Sequence, residues 1–264
     1  GVEFTVNADV VRGGDFTWNV GFNLAFNNNE ITQLDEPFVA GTHDRFFRTE
    51  GREFNEYHVY EWAGVNPDDG RPLFYTDETR TETTSDIGEA ERFFIGKSGT
   101  PDMIGGFNTQ LGWRGFFADA NFVTTWNNWL YDATAWVVQG DGRFTPRSQT
   151  HLVLDRWRQP GDITDVPQFR WGGNPGSNTQ GSSRYIYDGT HIRLRNLTVG
   201  YNLPTELISR LDMTSARIYF RGTNIWTWTR DENLNYDPEA AINGYMESTI
   251  PNLKTFALGI DVGF

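Results

Sequence analysis

The sequence predicts an all-β fold: an antiparallel transmembrane β-barrel segment of about seven to nine strands, with long extracellular loops and short periplasmic turns. Three observations predict it. The stretch from Lys254 to Phe264 alternates strictly, with Phe256, Leu258, Ile260, Val262 and Phe264 on one face and Thr255, Ala257, Gly259, Asp261 and Gly263 on the other. Successive strand side chains point to opposite faces, so this strand has one apolar side and one small or polar side. Its apolar face has aromatics at both ends and aliphatics between, the girdle arrangement of outer-membrane strands, and its length fits the roughly 9–11 residues that cross a bilayer at a tilt. Second, short glycine-rich turns alternate along the chain with long polar connections. Third, the 264 residues include 10 Trp, 10 Tyr and 20 Phe but no uninterrupted apolar run of helical length, and the mean hydropathy is -0.55. Membrane-spanning helices are thereby excluded, whereas a barrel, in which only alternate residues meet lipid, is not.

Taken in order, the first strand runs from Val2 to Val11, with Val2, Phe4, Val6, Ala8 and Val10 against Glu3, Thr5, Asn7 and Asp9. Arg12 to Asp15, with two glycines, reads as a hairpin turn. The next strand sets Phe16, Trp18, Val20, Phe22, Leu24 and Phe26 against Thr17, Asn19, Gly21, Asn23, Ala25 and Asn27, a longer alternation than a typical soluble strand holds. From Asn28 to about Thr100 the chain is acidic and irregular. Phe54 to Val65 reads as a strand, Asn66 to Gly70 as a turn and Pro72 to Tyr75 as a short return. That hairpin either crosses the membrane or lies in the outer loop, and parity works both ways. Thr79 to Glu91 reads as solvated loop.

Alternation resumes at Phe107, Thr109, Leu111 and Trp113. A tight turn at Arg114 and Gly115 leads to a strand from Phe116 to about Trp129. A second long loop, Gln139 to Asp188, is rich in Gly, Pro, Arg and Trp. In the strand from His191 to Leu203 the apolar face switches from Ile192 and Leu194 to Leu197, Val199 and Tyr201, a one-residue slip that predicts a β-bulge. Pro204 to Met213 reads as a helical turn with Leu207, Ile208 and Leu211 on its apolar side. Ala216 to Thr229 is a strand, Asp231 to Pro251 a loop, and the last strand follows.

The net charge of -13 and a pI near 4.7 argue against a nucleic-acid partner. Cysteine is absent, so there are no disulfides and no Cys-based metal sites. No charged n-region, h-region or cleavage site precedes the first strand. The chain is therefore expected to be the C-terminal piece of something longer, or a mature form already cut.

Several stretches together resemble the C-terminal barrel portion of SusC/RagA-type TonB-dependent outer-membrane transporters. They are Gly1 to Glu3, Trp62 to Tyr75 (WAGVNPDDGRPLFY), Gly105 to Thr109 (GGFNT), Arg156 to Asp162 (RWRQPGD), Ile192 to Pro204 (IRLRNLTVGYNLP), Arg217 to Ile225 (RIYFRGTNI), Tyr236 to Glu239 (YDPE) and the terminal Phe264. Their order and spacing make the resemblance specific along the whole chain. It implies import of oligosaccharides or peptides across the outer membrane of a Gram-negative, Bacteroidetes-type bacterium. The partners it implies are a SusD/RagB-like surface lipoprotein, TonB, the remainder of the barrel with its plug, and outer-membrane lipid. Residues 1–264 would then be the C-terminal part of the barrel, with the plug, the TonB-contacting segment and the earlier strands before Gly1. Transporters of this kind have about 22 strands around a plugged lumen.

No catalytic constellation stands out, and the chain is read as non-enzymatic with no cofactor. His43, His58, His151 and His191 are scattered, without metal-ligand spacing. Asn66 to Gly70 lacks the alternating ligands of a calcium loop and reads as a plain turn. Asp231, Glu232, Asp237 and Glu239 share one outer loop, read as solvated, and Asn196 to Thr198 matches a glycosylation sequon but lies in a strand. The candidates for cargo contact are Trp157, Trp171, Tyr185 and Tyr187 with Arg158 and Arg170, near Arg156 and Arg184. Flat aromatic faces suit sugar rings or peptide side chains, and Arg suits carboxylates; a loop folded on its own aromatics is the competing reading. Arg193, Arg195, Arg217 and Arg221 alternate on neighbouring strands, and either make a positive stripe in the lumen or pair with acidic residues there. Phe256, Leu258, Ile260, Val262 and Phe264 are expected to face lipid and signal assembly. Two other architectures stay open at this stage: a self-contained small outer-membrane barrel with binding or adhesive loops, and a secreted carbohydrate-binding β-sandwich.

Overall fold

The computed structural model describes residues 1–41, 44–144, 146–176, 179–240 and 243–264. His43 lies outside them. Seven long strands form one antiparallel sheet in simple meander order: β1 (Val2–Val11), β2 (Phe16–Phe26), β3 (Met103–Trp113), β4 (Phe116–Trp126), β5 (His191–Asn202), β6 (Ser215–Thr229) and β7 (Thr255–Gly263). The connections β1–β2, β3–β4 and β5–β6 are short and lie at one end of the sheet. The connections 27–102, 127–190 and 230–254 are long and lie at the other.

The register places every apolar alternate on one face. Val2, Phe4 and Val6 pair with Phe26, Leu24 and Phe22, and these pair in turn with Met103, Gly105 and Phe107. At the far edge Ile218 and Phe220 pair with Ile260 and Leu258. This face has no cover among the described residues: Phe4, Phe16, Phe22, Leu258 and Ile260 are all exposed. A soluble sandwich would bury the Phe16 to Phe22 face under a second layer. Aromatics line both margins, with Phe16, Trp113, Phe116 and Tyr201 at the short-turn end and Phe26, Trp126, Trp226 and Trp228 at the other. The Phe116 and Tyr201 rings lie 4.6 Å apart. Phe16 and Phe26 bound β2, which at ten residue steps is about 33 Å of strand, or roughly 25 Å of height at the usual barrel tilt. Thr109 is a polar side chain within this face, and its hydroxyl accepts from the Trp18 indole at 3.0 Å, so the group is not left unsatisfied where lipid would meet it.

The predicted slip in β5 is present. Asn121 pairs with Asn196 and Phe122 with Leu194, leaving Arg195 as the extra residue. Opposite it, β6 carries its own irregularity at Asn224, whose φ of 53° is left-handed. The segment after Pro204 forms a helical turn, Thr205–Ile208, followed by a 3₁₀ turn, Ser209–Leu211. Of its three apolar residues only Ile208 is buried; Leu207 and Leu211 are exposed.

The long connections depart from the expected loops. They fold together into a dome with small sheets of its own. The expected strand from Phe54 to Val65 is two strands, Glu56–Val59 and Trp62–Val65, in different sheets. The 62–75 hairpin belongs to the dome, so the wall has seven strands and not nine. β4 stops at Trp126, and Trp129–Asp132 is a separate strand leading into a helix, Ala133–Val138. The dome core joins all three connections. Phe46, Tyr57, Val59, Phe93 and Ile95 of the first pack with Tyr131, Ala133, Tyr185 and Ile186 of the second, and Tyr245 of the third rests against them. The Tyr57 hydroxyl ties them together: it lies 2.5 Å from the Gly244 carbonyl and 3.0 Å from that of Trp129, and accepts from the Tyr131 N–H at 3.2 Å. The Arg45 guanidinium, itself buried, sits 3.5 Å above the Tyr131 ring.

Candidate functional site

The second face of the wall is polar and amide-rich. One row across it reads Asn7, Gly21, Asn108, Asn121, Asn196, Thr223 and Thr255. Gly21 leaves room for the amides of Asn7 and Asn108, which would have to shift to admit a Cβ there. The next row, towards the short turns, reads Asp9, Asn19, Gln110, Asp119, Thr198, Arg221 and Ala257. Side chains that both donate and accept hydrogen bonds therefore line most of this face, which suits a wet or plugged interior.

The four wall arginines divide. Arg217 pairs with Asp261 on the next strand at 2.6 Å. Arg221 has no ion pair among the described residues and lies 5.5 Å from the Tyr219 ring. Arg193 is buried and reaches two carboxylates, Asp237 at 2.5 Å and Glu239 at 2.6 Å. Arg195, aimed by the bulge, also pairs with Glu239 and donates to Asn224 Oδ1 at 3.1 Å. His191 completes the cluster: its Nε2 is 3.5 Å from Glu239, and its Nδ1 is 2.9 Å from the Gly189 carbonyl. Asn252 adds a backbone N–H to Asp237 and a side-chain amide to Glu239. The expectation that Asp237 and Glu239 are solvated is thus overturned, since they fold back onto the wall and strap the third connection to the head of β5. Burial alone would push both carboxyls up. Hydrogen bonds to Asp237 from Arg193, and the His191 ring beside Glu239 together with the charges of Arg193 and Arg195, more than reverse this and leave both below the usual carboxylate range. Beside them opens a cleft of about 430 Å³ of mixed character, with Asn121, His191, Arg195 and Glu239 facing Ile104, Phe122 and Val123.

The predicted cargo residues separate into two groups. Tyr185 is wholly buried, with its hydroxyl 3.1 Å from Thr179, and cannot present a ring to cargo. Tyr187 packs against the dome cores, and Arg184 pairs with buried Asp141 at 2.6 Å. Trp157 is an anchor: its indole donates to the Pro67 carbonyl at 3.0 Å, and its ring fills the space a Cβ on Gly70 would need. Two of the family-like stretches, 62–75 and 156–162, therefore dock on each other. Arg158 donates to the Leu154 carbonyl, and Arg156 to that of Val153. Only Arg170 and Trp171 stand free, with Trp171 75% exposed. Composition could not make this division, because a Trp or Tyr in an Arg-rich loop serves equally as core or as platform.

No family model matches the chain. Among curated proteins it is similar to TonB-dependent receptor P3 of Formosa agariphila, 28% identical over 298 residues, covering 100% of this chain and 28% of that one. It is also similar to TonB-dependent receptor SusC of Bacteroides thetaiotaomicron, 23% identical over 283 residues and covering 26% of it. Among solved structures it superposes on a chain of the RagAB peptide transporter with a TM-score of 0.86 at 24% identity, covering 99% of this chain and 29% of that one. A RagAB peptide importer in a closed state gives 0.83 at 25% identity. The chain spans less than a third of the length of each.

Proposed function

We propose that this chain, a segment of a SusC/RagA-type TonB-dependent transporter, forms part of the outer-membrane barrel wall through which oligosaccharides or peptides are imported. The observation that carries the reading is the uncovered apolar face, continuous over seven strands and bounded by aromatic rows, in a sheet that superposes on a RagAB transporter chain over 99% of its length. The two outer strands, β1 and β7, do not pair with each other. Open sheet edges are not tolerated in hydrocarbon, because each unpaired backbone group costs several kcal/mol. In this reading both edges join further strands of a larger barrel in the membrane.

In this reading the short turns face the periplasm and the dome faces outward, where a SusD/RagB-like lipoprotein covers it and passes cargo down to the amide-lined interior. Energy comes from TonB through the plug. The protein resides in the outer membrane of a Bacteroidetes-type bacterium and is not an enzyme. The test is to purify the native complex from membranes and to follow oligomer uptake in a deletion strain. A barrel chain several times longer than 264 residues, a co-purified lipoprotein, and uptake that stops when TonB is removed would support the proposal. A lone species of 30.2 kDa in detergent, with uptake unchanged in the deletion strain, would overturn it.

A further inference from the structure

The stretch 139–175 carries five arginines against four aspartates in a chain whose net charge is -13. One of those aspartates, Asp141, is already taken by Arg184. None of the five arginines, Arg143, Arg147, Arg156, Arg158 and Arg170, makes an ion pair among the described residues. Arg156 and Arg158 are occupied with backbone carbonyls of their own turn. Two of the other three, Arg143 and Arg170, lie on neighbouring runs. The Arg170 N–H donates to the Asp141 carbonyl and the Gly172 N–H to that of Gly142, each at 3.0 Å, so the 141–143 and 170–173 runs lie side by side. A Cβ on Gly173 would sit 3.3 Å from the Arg143 Cβ. Arg147 follows one turn later, its guanidinium 5.6 Å from the Phe144 ring. Arg143, Arg147, Arg170 and Trp171 are all exposed.

We propose that Arg143 and Arg170 on the paired runs, with the exposed Trp171 indole and Arg147 one turn along, form a capture site for acidic oligosaccharides bearing carboxylate or sulfate groups. The inference rests on the importer reading and names the cargo class. The planar guanidinium fork matches carboxylate and sulfate oxygens in paired hydrogen bonds. Trp171 is followed by Gly172 and Gly173, both at positive φ, so its neighbours on that side place no side chain over the ring. An open flat ring takes the face of a sugar, whereas a peptide side chain is held better by a concave apolar pocket. Local positive charge also offsets the repulsion that a strongly acidic protein exerts on an anionic oligomer.

The experiment uses the full-length transporter with its lipoprotein partner in detergent, and titrates hexagalacturonate, maltohexaose and hexaglutamate by calorimetry at low and high salt. Wild type binds hexagalacturonate most tightly, and salt weakens the binding. R143Q/R170Q loses about tenfold in affinity for each arginine removed, and W171A loses affinity as well, while weak maltohexaose binding is unchanged in R143Q/R170Q. All three side chains are exposed, so these variants fold. Equal affinity for maltohexaose, an unaltered R143Q/R170Q, or no binding of hexagalacturonate overturns the proposal; preference for hexaglutamate replaces it with an acidic-peptide site. Energised uptake of any oligomer that persists through such a failure leaves the importer reading standing, and loss of all TonB-dependent uptake from the wild-type strain overturns that reading instead.

Discussion

Arg193 on β5 and Asp237 in the third long connection meet at 2.5 Å, although 43 residues separate them in sequence. Arg193 is buried, and among the described residues its charge is balanced from that connection, by Asp237 and Glu239. Removing one partner of such a pair leaves the other uncompensated. Arg193→Met is expected to cost roughly 3 kcal/mol and to release the 230–254 strap. Hydrogen exchange of that segment should rise sharply while β1 to β4 stay protected. Unchanged protection of 230–254 would show that the strap is held by something else.

Acid should act on the same strap. Asp237 and Glu239 titrate below their ordinary values in the fold. Their stabilising contribution is therefore fully present above the usual carboxylate range and is lost as pH falls through the lowered folded values. Proteolytic nicking of 230–254 should stay constant from pH 8 to about pH 5 and increase below about pH 4. An increase beginning near neutrality would point to another group.

A substitution pair tests the facing of β7. Ile260 is exposed on the apolar face, and Asp261 pairs with Arg217 on the other. Ile260→Arg should block assembly of the full-length barrel, because an arginine facing mid-bilayer lipid costs roughly 2–4 kcal/mol. Asp261→Asn removes one exposed ion pair, worth at most about 1 kcal/mol, and should assemble normally. Equal yields in a bilayer assembly assay would contradict the assignment.

The dome has its own weak point. Tyr57→Phe removes the hydroxyl shared by Trp129, Tyr131 and Gly244, while the direct bond from the Tyr131 N–H to the Gly244 carbonyl remains. A cost of about 1 kcal/mol is expected, read as earlier thermal opening of the dome by hydrogen exchange, with the wall strands unaffected. Simultaneous loss of dome and wall protection would show that the two unfold as one unit.

The wall was legible because its signal is local. A period of two sustained over ten residues is visible without knowing any partner, and even the bulge at Arg195 shows as a slip between Leu194 and Leu197. The dome was not legible for the opposite reason. Its strands are two to six residues long, too short for alternation to register, and their partners are remote, as Tyr57 is from Gly244. The site was half legible. Arg193 and Arg195 stand out by spacing, but their carboxylates do not, because nothing near Asp237 in sequence announces a guanidinium 44 residues upstream. Nothing in the sequence separates the buried Tyr185 from an exposed platform, since aromatic composition does not encode burial.

The measurement that bears most directly on the barrel-wall account is a nitroxide accessibility scan of β7. The chain contains no cysteine, so single cysteines can be placed from Phe256 to Val262 in the full-length protein without removing any from this segment, and labelled in a lipid bilayer. Collisions with oxygen, which dissolves in lipid, should peak at positions 256, 258, 260 and 262. Collisions with a water-soluble nickel chelate should peak at 257, 259 and 261. That alternation with period two is the predicted result. Nickel access at every position, with no oxygen maximum at 258 and 260, would show that the apolar face does not meet lipid and would contradict the account.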